Sequence, residues 1–189
     1  TTEIYTLSLH DALPICGSLP PGVPAGFYAE VVRIGKERGA RTIVDTSGEA
    51  LEEALKEGVF LIKPNIREFR EMVGEDVKEK QQIAEAARRL VESGRCEALT
   101  ISLGAAGALM VSKEFCRHIV PPTVPISSKV GAGDSMVAGI VLSLARGMSL
   151  EESCLFGVAA GTAAVMTPGS ELCRREDAER LYRSMTSEK

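Results

Sequence analysis

Short apolar runs, each closed by turn residues and followed by an amphipathic stretch, constrain this chain more than anything else in it. "RTIVDTSG" (41–48), "VFLIKPN" (59–65) and "EALTISLG" (97–104) are runs of this kind. An apolar run so short, bounded by turn formers, reads as a strand buried on both faces. Between the runs lie helices: "GEALEEALKEG", ending at Gly58, then "IREFREMVG" and "VKEKQQIAEAARRLVESG", the last with apolar positions at helical spacing. Residues 24–38 read as an earlier amphipathic helix ended by Gly39, and "GALMVS" and "CRHIVPP" as strands joined by a turn at Lys113 and Glu114. From Ala132 the chain is nearly all helix, to Arg146, then over 149–166 and 174–184. Strand alternating with helix predicts an α/β fold, a mostly parallel sheet with helices on both faces. Ligands of such folds sit at the carboxyl ends of the strands, where strands hand over to helix N-termini.

The bulk numbers narrow the function classes. At 189 residues with 44% hydrophobic content the chain suits one domain with a substantial core. Its 22 basic against 26 acidic residues leave a formal charge of -4, which argues against nucleic acid as the main partner. With no Trp and 4% aromatic residues, there is little from which to build a base-stacking surface. No apolar run approaches the roughly 18 residues that span a bilayer. Cys16, Cys96, Cys116, Cys154 and Cys173 form no C-x-x-C pair, and with only His10 and His118 beside them a zinc site is not expected. Reduced thiols and a cytoplasmic location are the simpler reading. "TTEIYTLSLHDALPI" lacks the basic start and long apolar centre of a signal peptide. It resembles translated sequencing-adapter read-through, so residues 1–15 are expected to be a non-native leader and residues 16–189 the domain.

Four stretches could carry chemistry. In "VGAGDSM", Gly131, Ala132 and Gly133 run straight into Asp134 and a helix. Small residues let backbone approach a ligand, and the free N–H groups of the helix start, with its dipole, make an anion site. A carboxylate there also stabilises the dipole, by about 0.3–1 kcal/mol, so spacing alone leaves a structural and a catalytic turn both open. A carboxylate beside an anion site suits phosphoryl transfer, where it orients the attacking hydroxyl. There is no G-x-x-x-x-G-K-[ST], and the GAGDSM run lacks the third glycine of a dinucleotide fingerprint. In "KPNIREF", Asn65 and Glu68 are spaced to face one ligand, or to close a capping box, which is the commoner reason for that pairing. Lys63 just ahead of them could reach a phosphate. "SLGAAG" (102–107) is a loop needing glycine dihedrals or a backbone wall for a nucleotide, "GSLPPG" (17–22) is a further backbone-defined turn, and "TPGSE" (167–171) reads as a helix stop.

Taken in order, "GSLPPG", "KPNIREF", "SLGAAG", "VGAGDSMVAG" and "FGVAAGTAA" resemble the PfkB family of carbohydrate kinases, in the ribokinase superfamily. The likeness runs from residue 16 to about residue 185 and looks closest to the minor-type 6-phosphofructokinases. It implies a ribokinase-like three-layer α/β/α fold lacking its N-terminal part and β-sheet lid. It further implies ATP-dependent phosphorylation of a sugar phosphate, fructose 6-phosphate to fructose 1,6-bisphosphate, with 1-phosphofructokinase and tagatose-6-phosphate kinase as alternatives. By the same resemblance Asp134 is the catalytic base and the N–H groups of Gly131, Ala132 and Gly133 are the anion hole for the transferring phosphate. Lys63, Asn65, Ser102, Gly104 and Gly107 stand on the nucleotide side, Glu68 and Asn65 organise Mg²⁺ through water, and Ser18 belongs to the sugar-phosphate side. A K⁺ site of backbone carbonyls is implied at Ser128, Val130, Ala164 and Gly169. Three residues depart from the family pattern: Lys129 stands where threonine is usual, and Thr167 and Glu171 replace polar and basic residues near the cation site. The parent enzyme is expected to be a homodimer joined through its lid, and the present chain an inactive nucleotide-binding fragment.

Overall fold

The computed structural model describes residues 12–187. Residues 1–11 of the expected leader lie outside the described residues. The elements in chain order are β1 (Leu13–Cys16), α1 (Phe27–Glu37), β2 (Thr42–Asp45), α2 (Gly48–Lys56), β3 (Val59–Ile62), α3 (Ile66–Val73), α4 (Lys80–Glu92) and β4 (Cys96–Ser102). A single 3-10 turn at Gly104–Ala106 leads into β5 (Ala108–Ser112) and β6 (Cys116–Ile119), and three helices follow: α5 (Ala132–Ala145), α6 (Leu150–Ala164) and α7 (Arg175–Ser187).

The six strands lie in one sheet in chain order, β1 to β4 parallel and β5 and β6 antiparallel. Each parallel step adds the next strand at the same edge. Since such crossovers are right-handed, their helices all fall on one face. The core agrees: Val32 of α1, Leu55 of α2, Phe69 of α3 and Val91 of α4 pack with Val44, Ile62 and Leu99 of the strands. Alternation along the strands turns Ile43, Leu61, Ala98 and Met110 to the other face. There Ile140 and Leu144 of α5 and Cys154 and Val158 of α6 cover them. α7 closes the layer from outside, where Ala178 and Leu181 pack on Phe156, Ala159 and Ala163. Helix α6 is therefore enclosed on nearly every side, which is why it is apolar all round.

α5 and α6 approach very closely. A β-carbon on Gly157 would lie 2.9 Å from the Met136 carbonyl oxygen, and one on Gly161 would lie 2.9 Å from that of Ala132. Strand β1 is the element that the sequence reading did not anticipate. Leu13, Pro14 and Ile15 stand within the segment set aside there, yet they pair in parallel with Thr42, Ile43 and Val44.

Candidate active site

The four parallel strands all end on one side of the molecule, and the chemistry-bearing residues sit at those ends. Cys16 closes β1 directly beside Asp45, which closes β2. Lys63 follows β3 and, although a lysine, is only 6% exposed. Its ammonium lies 3.2 Å from Asp45 Oδ1, an ion pair with the lysine side chain 7% and the aspartate side chain 17% exposed. A buried ammonium is tolerable only with such a partner.

Helix α5 brings its N-terminus onto this pair from the opposite face. Gly131 caps the helix at φ 78°, a left-handed conformation that glycine adopts without strain. A β-carbon on Gly133 would lie 3.2 Å from Lys63 Nζ, so a glycine there leaves the ammonium its room. Two positive features thus converge, the lysine and the helix start with the N–H groups of its first turn. Together they form a place where an anion is attracted more strongly than by either alone. Asp134, in the same first turn, is exposed beside it.

The electrostatics record how close these groups are. Burial pushes the Asp45 carboxyl above its ordinary value of 3.8; Lys63 opposes that rise, and the Glu68 and Asp134 carboxylates add to it. Burial likewise pushes the Cys16 thiol up to about 11, with Asp45 and Asp134 raising it further and Lys63 lowering it. Asp45 therefore feels Lys63, Glu68 and Asp134 across the mouth of the sheet.

Asn65 and Glu68 form a full capping box at the start of α3. The Asn65 side-chain oxygen accepts from the N–H groups of Arg67 (2.9 Å) and Glu68 (3.0 Å), and Glu68 Oε2 accepts from Asn65 N–H at 2.8 Å. The structural role read from the spacing is thus present. It also fixes the Glu68 carboxylate at the strand-to-helix junction, near Asp45. Asn65 bridges to Ser102 across the strand ends, and Ser102 N–H donates to the Pro64 carbonyl at 2.9 Å. This joins the "KPN" turn to the loop of residues 102–107. In that loop Gly107 is buried at φ 85°, and a β-carbon on it would stand 2.0 Å from the Ile119 carbonyl oxygen. No other residue fits there.

The remaining predicted residues lie at the rim. Ser18 is exposed in the loop after β1, where Gly17 N–H donates to the Asp45 carbonyl at 3.0 Å. The segments holding Ser128, Val130, Ala164 and Gly169 meet: Ser127 and Ser128 N–H both donate to the Val165 carbonyl, and Ser128 Oγ–H donates to the Gly169 carbonyl at 2.5 Å. Thr167 Oγ1 lies 2.7 Å from the Ala164 carbonyl and is 3% exposed, so it is a structural hydroxyl closing that loop. Asp45 is the residue that sequence reasoning did not single out. Its signal was an acid ending an apolar run just before a Thr-Ser-Gly turn, one βα unit ahead of Lys63 and at the corresponding position.

Known proteins resemble this chain in sequence and in fold. The model of the pfkB family carbohydrate kinases matches residues 4–177. ATP-dependent 6-phosphofructokinase isozyme 2 of Escherichia coli (strain K12) is 44% identical over 171 residues, covering 90% of this chain and 55% of that protein. 1-phosphofructokinase of Rhodobacter capsulatus is 37% identical over 185 residues, 98% of this chain and 58% of that one. A crystal structure of phosphofructokinase-2 from Escherichia coli in complex with potassium superposes with a TM-score of 0.88 at 43% identity, over 93% of this chain and 57% of that chain. The chain spans a little over half the length of these relatives.

Proposed function

On the premise that the chain belongs to the pfkB carbohydrate kinase family, we propose that it carries the phosphoryl-transfer half of an ATP-dependent sugar-phosphate kinase. The acceptor is fructose 6-phosphate and the product fructose 1,6-bisphosphate. The observation that carries this reading is the meeting of Lys63 with the α5 N-terminus at Gly133, beside Asp134. In-line transfer needs positive or N–H groups on the moving phosphoryl group and a carboxylate on the attacking hydroxyl. Lys63 and the N–H groups of Gly131, Ala132 and Gly133 would bind and orient the γ-phosphate. Asp134 would take the proton of the C1 hydroxyl as its oxygen attacks phosphorus and the bond to the bridging oxygen of ADP breaks. Asp45 holds the Lys63 ammonium in place and offsets its charge while no phosphate is bound.

Among the described residues no group of three metal-ligating side chains could cage a metal ion. Mg²⁺ fits this donor set all the same, because it binds through one or two carboxylates, waters and substrate phosphates. Glu68, held by Asn65, would supply the carboxylate, and the ion would neutralise charge on the ATP phosphates. Ser102, Gly104 and Gly107 would line the nucleotide and Ser18 the sugar phosphate. The K⁺ site implied at the carbonyls of Ser128, Val130, Ala164 and Gly169 does not fit this arrangement: the Gly169 carbonyl accepts from the Ser128 hydroxyl and the Ala164 carbonyl from the N–H and hydroxyl of Thr167. Among the described residues no helix is long and apolar enough to cross a membrane.

A second acceptor is favoured by the relative from Rhodobacter capsulatus, named for fructose 1-phosphate and aligned over 98% of this chain. Calorimetry with MgATP, and coupled assays with fructose 6-phosphate, fructose 1-phosphate and tagatose 6-phosphate, test the reading on this chain and on an N-terminally extended one. We expect nucleotide binding by both and turnover by the extended protein alone. Asp134→Asn there should cost several orders of magnitude in kcat with ATP affinity retained. Near-normal turnover of that variant would refute the assignment of Asp134.

A further inference from the structure

The turn at Gly104–Ala106 is held from outside by a side chain of which the chemistry above makes no use. His118 on β6 places Nε2 2.7 Å from the Ala106 carbonyl oxygen and Nδ1 3.3 Å from the Lys80 ammonium at the start of α4. A carbonyl only accepts, so Nε2 carries the hydrogen; Nδ1 of the neutral ring then accepts from Lys80. The tautomer follows from the partners.

One peptide of the loop is thereby fixed at both of its polar groups. The carbonyl of Ala106 accepts from His118, while the N–H of Gly107 donates to the Gly104 carbonyl at 3.0 Å. Leu103 N–H donates back to the Gly107 carbonyl at 2.8 Å and closes the loop. Glycine at 107 tolerates either sign of φ, so it is also where this peptide could turn over. His118, with the adjoining Ile119 backbone packed on Gly107, holds it in one orientation.

We propose that His118 is a positioning residue for the nucleotide: through Nε2–H it locks the peptide between Ala106 and Gly107, and so the loop that lines ATP. This rests on the kinase reading of the 102–107 loop. It adds a residue that touches neither phosphate nor sugar and acts only through Ala106.

The test compares the wild-type chain with His118→Ala and His118→Gln by calorimetric titration with MgATP. Each protein is checked for folding by thermal unfolding, and the wild-type imidazole nitrogens are read by NMR. We expect His118→Ala to bind MgATP about three- to tenfold more weakly, the effect of one neutral hydrogen bond. Glutamine can place an amide N–H where Nε2 stands, and His118→Gln should recover most of that loss. A side chain needed only for packing would show no such recovery. The nitrogen spectrum should report the neutral Nε2–H tautomer. Unchanged affinity in His118→Ala, a glutamine variant as weak as the alanine one, or an Nδ1–H tautomer would each overturn the proposal while leaving the kinase reading intact. A wild-type chain that binds no MgATP would overturn both.

Discussion

Replacing Lys63 by Met tests the charge arrangement on which the site depends. The substitution keeps most of the side-chain volume and removes the ammonium that lies 3.2 Å from Asp45. Breaking a buried ion pair from one side costs about 3–5 kcal/mol, because the other charge is left uncompensated. Asp45 keeps 17% of its side-chain surface exposed, which argues for the lower end, about 3 kcal/mol at pH 8. The sign with pH is opposite to that of an ordinary salt-bridged aspartate. Burial holds the Asp45 carboxyl above its usual 3.8 even with Lys63 present, and Lys63 is what lowers it. The folded state therefore holds this proton more tightly than the unfolded chain, and the Asp45 contribution worsens as pH rises from 3.8 through the raised value. Without Lys63 that value climbs further. The cost of Lys63→Met should then shrink as the pH falls toward 4, to about 1 kcal/mol, the worth of one lost hydrogen bond. Equilibrium urea denaturation of wild type and variant at several pH values between 4 and 8 measures this directly. Adding Asp45→Asn to Lys63→Met should recover much of the loss at pH 8, since a neutral pair leaves no buried charge. A penalty that is the same at pH 4 and pH 8, or a double variant no more stable than Lys63→Met alone, would refute the reasoning.

Substitutions at three further positions probe the surrounding frame. Gly107→Ala forces a left-handed φ and a β-carbon 2.0 Å from a backbone oxygen, and should cost about 3 kcal/mol or more in urea denaturation. Gly161→Ala presses on the Ala132 carbonyl at 2.9 Å; we expect a loss of about 1–3 kcal/mol and weaker MgATP binding, because Ala132 lies in the turn proposed to face the phosphate. Asn65→Ala removes the cap of α3 and should cost about 1 kcal/mol, whereas Asn65→Asp should keep most of the stability, as thermal unfolding would report.

The element order could be read from the chain because its local signals agree. Residues 24–38 read as a helix, and α1 spans Phe27–Glu37; the run at 97–104 read as a strand, and β4 spans Cys96–Ser102. Gly39, Gly58 and Gly74 all take positive φ just past a helix end, where a helix stop wants glycine. Strand β1 escaped because it is a four-residue edge strand containing Pro14, and its first three residues fall in the segment set aside for its likeness to adapter read-through. The placement of α5 was not legible either. Its apolar residues cover most of its surface, so no periodicity says which face meets the sheet. The pairing of Asp45 with Lys63 depends on the parallel register of β2 and β3, which no local pattern encodes. The capping box at Asn65 could be read, because both its partners lie within one helical turn.

The arrangement of the layers sets how the site responds to mechanical change. Lys63, Asp45 and Glu68 belong to the sheet and the layer of α1–α4, whereas the Gly131–Asp134 turn belongs to the α5–α7 layer on the other face. In the second layer glycines bring α5 hard against α6. The Lys63 ammonium and the α5 N-terminus thus meet across the seam between two packed layers. A shift of α5 along its apolar seam would change the room left to that ammonium at Gly133. The seam itself, and not only the turn at its end, therefore sets how much room the Lys63 ammonium has beside Gly133.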